Sequence, residues 1–205
     1  MLTQINTMNA KETGQNYNKI AEWWIDAQMR NSEYGMEYIQ KAIKYAKRKY
    51  KVLDLGCGGT GRTINEFLKH DFSVTGIDVS SEMIRLAKLK HPNVNFVHAD
   101  FILWPIEDTF DLIVAWDSIF HAPIELQEEA TSKMCSLLNP GGIFLFTAGS
   151  YPGEANGKME GVLFEYGTIG YRKYLEVIDK MKCKIILMEE DQYPNGHMVF
   201  ISQKP

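Results

Sequence analysis

The sequence predicts a doubly wound α/β domain, and three observations carry that prediction. From Lys51 onward, short apolar runs (Val52–Leu55, Ser73–Ile77, Val94–Val97, Phe110–Ala115, Ile143–Thr147) alternate with amphipathic stretches. Phe110–Ala115 is apolar almost throughout, as a parallel strand buried on both faces requires. The first run ends in glycines at Gly56 and the second at Asp78. Strand and helix alternating in this way give a mostly parallel sheet with helices on both faces.

The elements follow in order. Met1 to Asn16 is polar and carries Gly14, so a loosely ordered start is expected. Ile20, Trp23, Trp24 and Ala27 then fall at i, i+3, i+4 and i+7, the stripe of an amphipathic helix. A second helix is expected over Tyr34–Lys49, with Tyr38, Ala42, Tyr45 and Ala46 on one side. Residues 1–50 thus read as an N-terminal helical cap and 51–205 as the sheet-bearing domain. Thr63–His70 reads helical. Ser80 or Ser81 caps the next helix, which turns Met83, Leu86 and Ala87 inward and stops at Pro92. Pro123 suits the first turn of a helix carrying Leu126, Ala130, Met134, Leu137 and Leu138. Asn139-Pro140-Gly141-Gly142 turns the chain into the fifth strand. Gly149–Gly170 reads as irregular. A helix with Tyr171, Tyr174, Leu175 and Ile178 inward follows, then strands Lys184–Leu187 and Met198–Ser202. The turn Pro194-Asn195-Gly196 between them favours an antiparallel hairpin.

The chain has 205 residues, 45% of them hydrophobic and 23% charged, with a net charge of −4. That balance argues against a nucleic-acid partner, which requires a basic face. The basic run Lys44, Lys47, Arg48, Lys49 and Lys51 reads as a solvated helix end. Cys57, Cys135 and Cys183 are far apart, with neither a disulfide framework nor a metal-ligand spacing. They fit a reducing compartment. The first twenty residues lack the apolar core of a signal peptide, and no apolar run is long enough to span a bilayer. The expected location is the cytoplasm, with no membrane partner.

Gly56, Gly58 and Gly61 follow the first strand and open a helix as GxGxxG. Glycines there let the backbone turn tightly and approach a cofactor near a helix N-terminus. Asp78 lies 22 residues beyond Gly56 at the tip of the second strand, where a carboxylate accepts hydrogen bonds from ribose hydroxyls. These features alone fit a nicotinamide enzyme or an S-adenosylmethionine (SAM) enzyme equally.

Longer motifs separate the two. The run Val52-Leu53-Asp54-Leu55-Gly56-Cys57-Gly58-Gly59-Thr60-Gly61-Arg62 resembles motif I of the class I SAM-dependent methyltransferases. Val74 to Ile84 is similar to their second motif, and His98-Ala99-Asp100-Phe101 to the segment whose acid binds the adenine amino group. Phe110 to Asp117 and Leu137 to Gly142 resemble the fourth-strand motif and the turn before strand five. The resemblance runs from about Lys51 to the C-terminus. It implies a Rossmann-like sheet with an antiparallel C-terminal strand, SAM as cofactor and S-adenosylhomocysteine (SAH) as product. It also implies a cofactor site at Asp54, Gly56, Cys57, Gly58, Gly61, Asp78, Val79, Met83, Asp100, Phe101 and Trp116. One departure stands out: the family places a third glycine where this chain has Thr60, between Gly59 and Gly61.

Second roles stay open for several of these residues. Asp54 either contacts the cofactor or braces the glycine turn. Asp100 either binds adenine or caps a turn through its side chain. Met83 suits both core and adenine wall. Methyl transfer is an in-line displacement in which alignment does most of the work, and a base matters when the acceptor must lose a proton. Asp117 and His121, just beyond the fourth strand, are the catalytic candidates, although His121 also reads as a packed residue before Pro123. His197 and Tyr166 either face the substrate or, the favoured reading, hold structure through hydrogen bonds. Tyr17, Trp23 and Trp24 either close over the site, where aromatic faces favour a sulfonium, or, for the tryptophans, simply pack the core. The acidic balance and short cap point to a small-molecule acceptor. An NAD-dependent oxidoreductase and a SAM-binding protein without turnover are the alternative functions.

Overall fold

A computed structural model describes residues 8–205 of the chain. Two helices come first, α1 (Ala10–Arg30) and α2 (Met36–Tyr45). The alternating part comprises β1 (Lys51–Leu55), α3 (Arg62–Lys69), β2 (Ser73–Asp78), α4 (Ser81–Lys90), β3 (Asn95–His98), β4 (Phe110–Ala115), α5 (Ile124–Leu137) and β5 (Leu138–Gly149). A hairpin, β6 (Gly153–Met159) and β7 (Val162–Thr168), precedes α6 (Tyr171–Lys180), β8 (Lys184–Glu190) and β9 (His197–Gln203).

Seven strands form one sheet in the order β3-β2-β1-β4-β5-β9-β8. β3, β2, β1, β4 and β5 are parallel, and β9 pairs antiparallel with both β5 and β8. Alternation along each strand divides the core in two. Val52, Leu112, Val114, Ile143 and Leu145 face one side, with Ile64, Phe67, Ile84 and α2. Leu53, Leu55, Ile113, Phe144 and Phe146 face the other, with Met134, Tyr174 and Ile178. The expected doubly wound, Rossmann-like sheet with an antiparallel C-terminal strand is therefore present. β1 and β4 are neighbours although β1 runs on to β2, so the strand order reverses between them, and a crevice opens beyond their carboxyl ends.

Three sequence expectations need correction. The chain does not start loosely through Asn16. Asn9 caps α1, its side chain accepting from Glu12 N while Glu12 reaches back to Asn9 N. Gly14 lies inside that helix, buried where a Cβ would collide with the Val79 carbonyl. The Met1–Thr7 part of that expectation falls outside the described residues. Gly149–Gly170 is not irregular: β6 and β7 pair in register from Gly153↔Thr168 to Met159↔Val162. Their two-residue turn, Glu160-Gly161, has φ of 50° and 75°, the positive pair that a tight hairpin needs. Finally, strand pairing begins before Ile143, because Leu138 already pairs with Phe110, and a bulge absorbs Asn139–Gly142. Among the described residues no helix is long and apolar enough to cross a membrane.

Candidate functional site

The site begins where β1 ends. Gly56 N and Cys57 N both donate to the Ile77 carbonyl, at 2.8 and 3.0 Å, folding the chain back against β2. Gly56 has φ 69°, and a Cβ on it would stand 2.5 Å from Ser118 Cβ, so neither the backbone nor the space admits a side chain. Gly58 has φ 57° with nothing within 4 Å of a Cβ position, so the turn offers bare backbone to the crevice.

A cavity with about 1120 Å³ of empty space opens at this point. Its wall includes Asp54, Gly56, Cys57 and Gly58 from the β1 turn, and Asp78, Val79 and Met83 from the end of β2 and the start of α4. Asp100 and Phe101 beyond β3, and Trp116, Asp117 and His121 beyond β4, complete the residues expected from sequence. Gly61 is the exception. It does not line the cavity but starts α3 at φ 71°, facing His91, and Thr60 takes the place in the wall.

Both oxygens of Asp78 are engaged: Oδ1 accepts from Ser80 N at 2.8 Å and Oδ2 from Gly58 N at 2.9 Å. The carboxylate thus ties the glycine turn to the start of α4. Burial raises its pKa, and these two amides oppose the rise. A carboxylate offers about four lone-pair sites, so each oxygen can take a second donor. Asp54 is sealed beneath the turn and accepts from Thr63 Oγ1 at 2.7 Å. Burial pushes its pKa up to about 6 against the Thr63 hydroxyl and the Arg62 charge. Asp100 Oδ1 accepts from Ile102 N at 2.9 Å, closing the turn after β3, while the residue also lines the cavity.

The segment after β4 carries the most polar chemistry. Asp117 sits at φ 49°, with its N–H on Thr147 Oγ1 at 2.9 Å. Its Oδ1 accepts from Thr147 Oγ1 at 3.1 Å and from His197 Nε2 at 3.0 Å. His197 Nδ1 is bonded to Asp191, so one imidazole bridges two carboxylates. Burial pulls the His197 pKa down, but Asp117 and Asp191 outweigh it and leave it raised. His121 is held differently. Its Nδ1 lies 3.2 Å from the Glu165 carbonyl, which only accepts, so Nδ1 carries the hydrogen. Nε2 then accepts from the Tyr17 hydroxyl at 2.9 Å. Burial lowers the His121 pKa to about 4, against the Glu165 carbonyl and the Asp117 charge. At neutral pH the ring is uncharged with its lone pair on Tyr17.

α1 closes one side of the cavity with Ala10, Thr13, Tyr17, Trp24 and Gln28. Arg62, the first residue of α3, brings the guanidinium into the wall, where Nη1 donates to the Ser32 and Tyr34 carbonyls. Lys133 of α5 was not expected from sequence. Its Nζ donates to the carbonyls of Phe101, Ile102 and Trp104 at 2.7–2.8 Å and fixes the loop that bears Phe101. No local pattern marks that lysine, because its partners are backbone groups about thirty residues away. Thr13 and Gln28 are hidden for a similar reason: the pattern of an amphipathic helix reveals which face is apolar, not what that face covers. Tyr166 does not line the main cavity, but its ring stands 5.1 Å from that of His121.

Comparison with known proteins agrees with this architecture. The family model for the methyltransferase domain matches residues 52–142. An uncharacterized methyltransferase of Alkaliphilus oremlandii is 31% identical over 119 residues, covering 56% of this chain and 55% of that protein. The chain therefore spans little more than half the length of that relative. A SAM-dependent methyltransferase structure from Clostridium acetobutylicum superposes with a TM-score of 0.70 at 16% identity, over 92% of this chain and 98% of that one. Magnesium protoporphyrin IX methyltransferase of Synechocystis, solved with bound SAM, gives 0.70 at 12% identity over 98% and 99%. At such identities the structures speak for the fold alone. The stretch that builds β1 through the turn before β5 is thus similar to a methyltransferase domain.

Proposed function

We propose that the chain transfers a methyl group from SAM to a small-molecule acceptor and releases SAH. The observation that carries this reading is the wall of the cavity at the switch point. Its chemistry changes along its length in the order a SAM molecule requires. Val79, Met83, Phe101 and Ile102 form an apolar end beside Asp100, suited to adenine. Asp78 stands next, with a free lone pair on each oxygen for ribose hydroxyls. The bare glycine turn and Arg62 follow, suited to an amino-acid moiety whose carboxylate needs a cation. Trp116 Nε1 and Ser118 Oγ lie in this same wall, buried without a hydrogen-bond partner among the described residues. When bound, SAM supplies a methyl carbon activated by its sulfonium, and the carboxylates Asp54, Asp78 and Asp117 suit that positive charge.

The chain's own part is to hold the reactants, exclude water and accept a proton. α1 seals one side of the cavity, and we assign residues 1–50 the role of a cap on the domain formed by 51–205. His121 is the proposed base: uncharged, with its lone pair aimed at Tyr17, it takes a proton through that hydroxyl. Asp117 is its electrostatic partner. An acidic cavity and a net charge of −4 support an acceptor other than nucleic acid. Three free, buried cysteines support a cytoplasmic location.

Calorimetry with SAH tests the reading. Asp78→Ala is expected to weaken SAH binding by about 1.5–3 kcal/mol, the loss of charge-assisted hydrogen bonds. Unchanged affinity in a folded variant would remove Asp78 from the ribose role, and no binding by the wild-type protein would remove SAM.

A further inference from the structure

A second cavity abuts the first. His121, Ala122 and Pro123 line both, so the proposed base stands in a common wall. The second cavity has about 590 Å³ of empty space, and the β6–β7 hairpin forms its far side. Phe120, His121 and Tyr166 give it aromatic walls, with ring centroids 5.0–5.7 Å apart. Glu154, Glu165 and Asn156 supply the polar groups. No lysine or arginine among the described residues lines it. In the first cavity, the one arginine in the wall stands by the glycine turn at the amino-acid end proposed for SAM, while Asp117 Oδ2 takes no hydrogen bond from the described residues.

This distribution of charge selects among acceptors. A carboxylate or phosphate ester entering the second cavity meets two glutamates and no cation. An ammonium meets aromatic faces, which attract cations, and carboxylates on either side of the shared wall. We propose that the second cavity is the acceptor subsite and that it takes a small primary or secondary amine with an aromatic body, its nitrogen directed toward Tyr17 and His121. The assignment rests on the methyl-transfer reading above.

An amine also makes use of the Tyr17–His121 pair. An ammonium has no lone pair, so its nitrogen must first lose a proton. That proton passes to Tyr17 Oη as the phenol proton moves to His121 Nε2, 2.9 Å away. The nitrogen then bonds the methyl carbon, the C–S bonding pair stays on sulfur, and the positive charge of the sulfonium ends on the methylated ammonium. His121 returns the extra proton to solvent, which its lowered pKa favours. Tyr17 itself remains protonated between turnovers, because burial first, and then its neighbours Tyr166, Asp78 and Asp117, hold its pKa well above the ordinary value.

Binding to the SAH-saturated protein tests the assignment without the natural acceptor. Phenethylamine is the cationic probe, 2-phenylethanol the neutral one and 3-phenylpropionate the anionic one, all of similar shape. Phenethylamine is expected to bind at least tenfold more tightly than 3-phenylpropionate, with 2-phenylethanol between them. Glu154→Gln and Glu165→Gln together should weaken the amine several-fold and leave the alcohol unchanged. Histidine ¹⁵N NMR should show the His121 resonances move on adding the amine, and Tyr17→Phe should shift Nε2 alone. Equal binding of the acid and the amine overturns the assignment, as does an amine affinity indifferent to the double variant. Failure of SAH itself to bind condemns the methyl-transfer reading, and the subsite with it. SAH binding without amine binding condemns the subsite only.

Discussion

Asp54 and His121 are both sealed into the cavity wall, and burial moves their titrations in opposite directions. The Asp54 pKa rises from 3.8 to about 6, so its contribution to stability is complete below pH 3.8 and is lost as pH rises through 6. The His121 pKa falls from 6.5 to about 4, so its contribution is complete above pH 6.5 and is lost as pH falls through 4. Each shift corresponds to roughly 3 kcal/mol at most. Across pH 4–6 the two slopes oppose each other and largely cancel in the wild-type protein. Single variants uncover them. Asp54→Asn keeps an oxygen for the Thr63 hydroxyl and is expected to stabilise the ligand-free protein at pH 7.5 by about 1–3 kcal/mol, with the gain vanishing near pH 4. His121→Asn should reveal the opposite slope, its stability rising as pH drops from 6 to 4. Denaturant melts at four pH values check both, and parallel pH profiles for wild type and variants would refute the assignment. Asp54 and Asp78 were readable in the sequence as carboxylates at strand ends. Their partners were not, since Gly58, Thr63 and Ser80 become neighbours only once β1 and β2 pair.

At the scale of elements, the central parallel strands β1, β4 and β5 were legible because their apolar runs are buried on both faces. The β6–β7 hairpin was not. Its pattern is weak, β6 is mostly exposed, and the turn uses Glu160 where Asn is the usual signal. The start of α1 is masked in the sequence by Gly14 and a polar face, although the Asn9–Glu12 capping box defines it. Gly14 gives a prediction in which two effects compete. Alanine in a helix is favoured over glycine by about 1 kcal/mol. Yet a Cβ at Gly14 meets the Val79 carbonyl at the mouth of the cavity, and that backbone also accepts from His98 Nε2 at 3.0 Å. Overpacking of this kind costs typically about 1–3 kcal/mol. Gly14→Ala is therefore expected to be net destabilising and to weaken SAH binding, because α1 must lift away from Val79. A Gly14→Ala protein with a raised melting midpoint and normal SAH affinity would mean that α1 already stands clear of α4.

On the scale of the whole molecule, α1 and the ends of the sheet strands line one cavity, so a ligand there bridges α1 and the sheet. α2 lies deeper still, with Ile39, Ala42 and Ile43 buried in the same core as Val52 and Leu112. Such shared burial predicts one unfolding transition, in which the ¹⁹F resonances of fluorotryptophan at Trp23 and Trp24 on α1 and far-ultraviolet dichroism lose their native signals together. A ligand that binds only the folded state stabilises it by about 2.7 kcal/mol at a hundredfold excess over its Kd. For a chain of this size each kcal/mol moves the midpoint by roughly 2–4 °C, so SAH should raise it by about 5–10 °C by both probes. NAD and NADP carry the same adenosine but follow it with an anionic pyrophosphate. In this cavity that group would stand among Asp54, Asp78 and Asp117, with Arg62 as the one cationic side chain of the wall. Their shift should therefore be a small fraction of that with SAH. A large rise with NAD and none with SAH would make the cavity a dinucleotide site. A rise by dichroism that Trp23 and Trp24 do not follow would show α1 melting apart from the sheet, and with it the loss of the wall that Tyr17 provides.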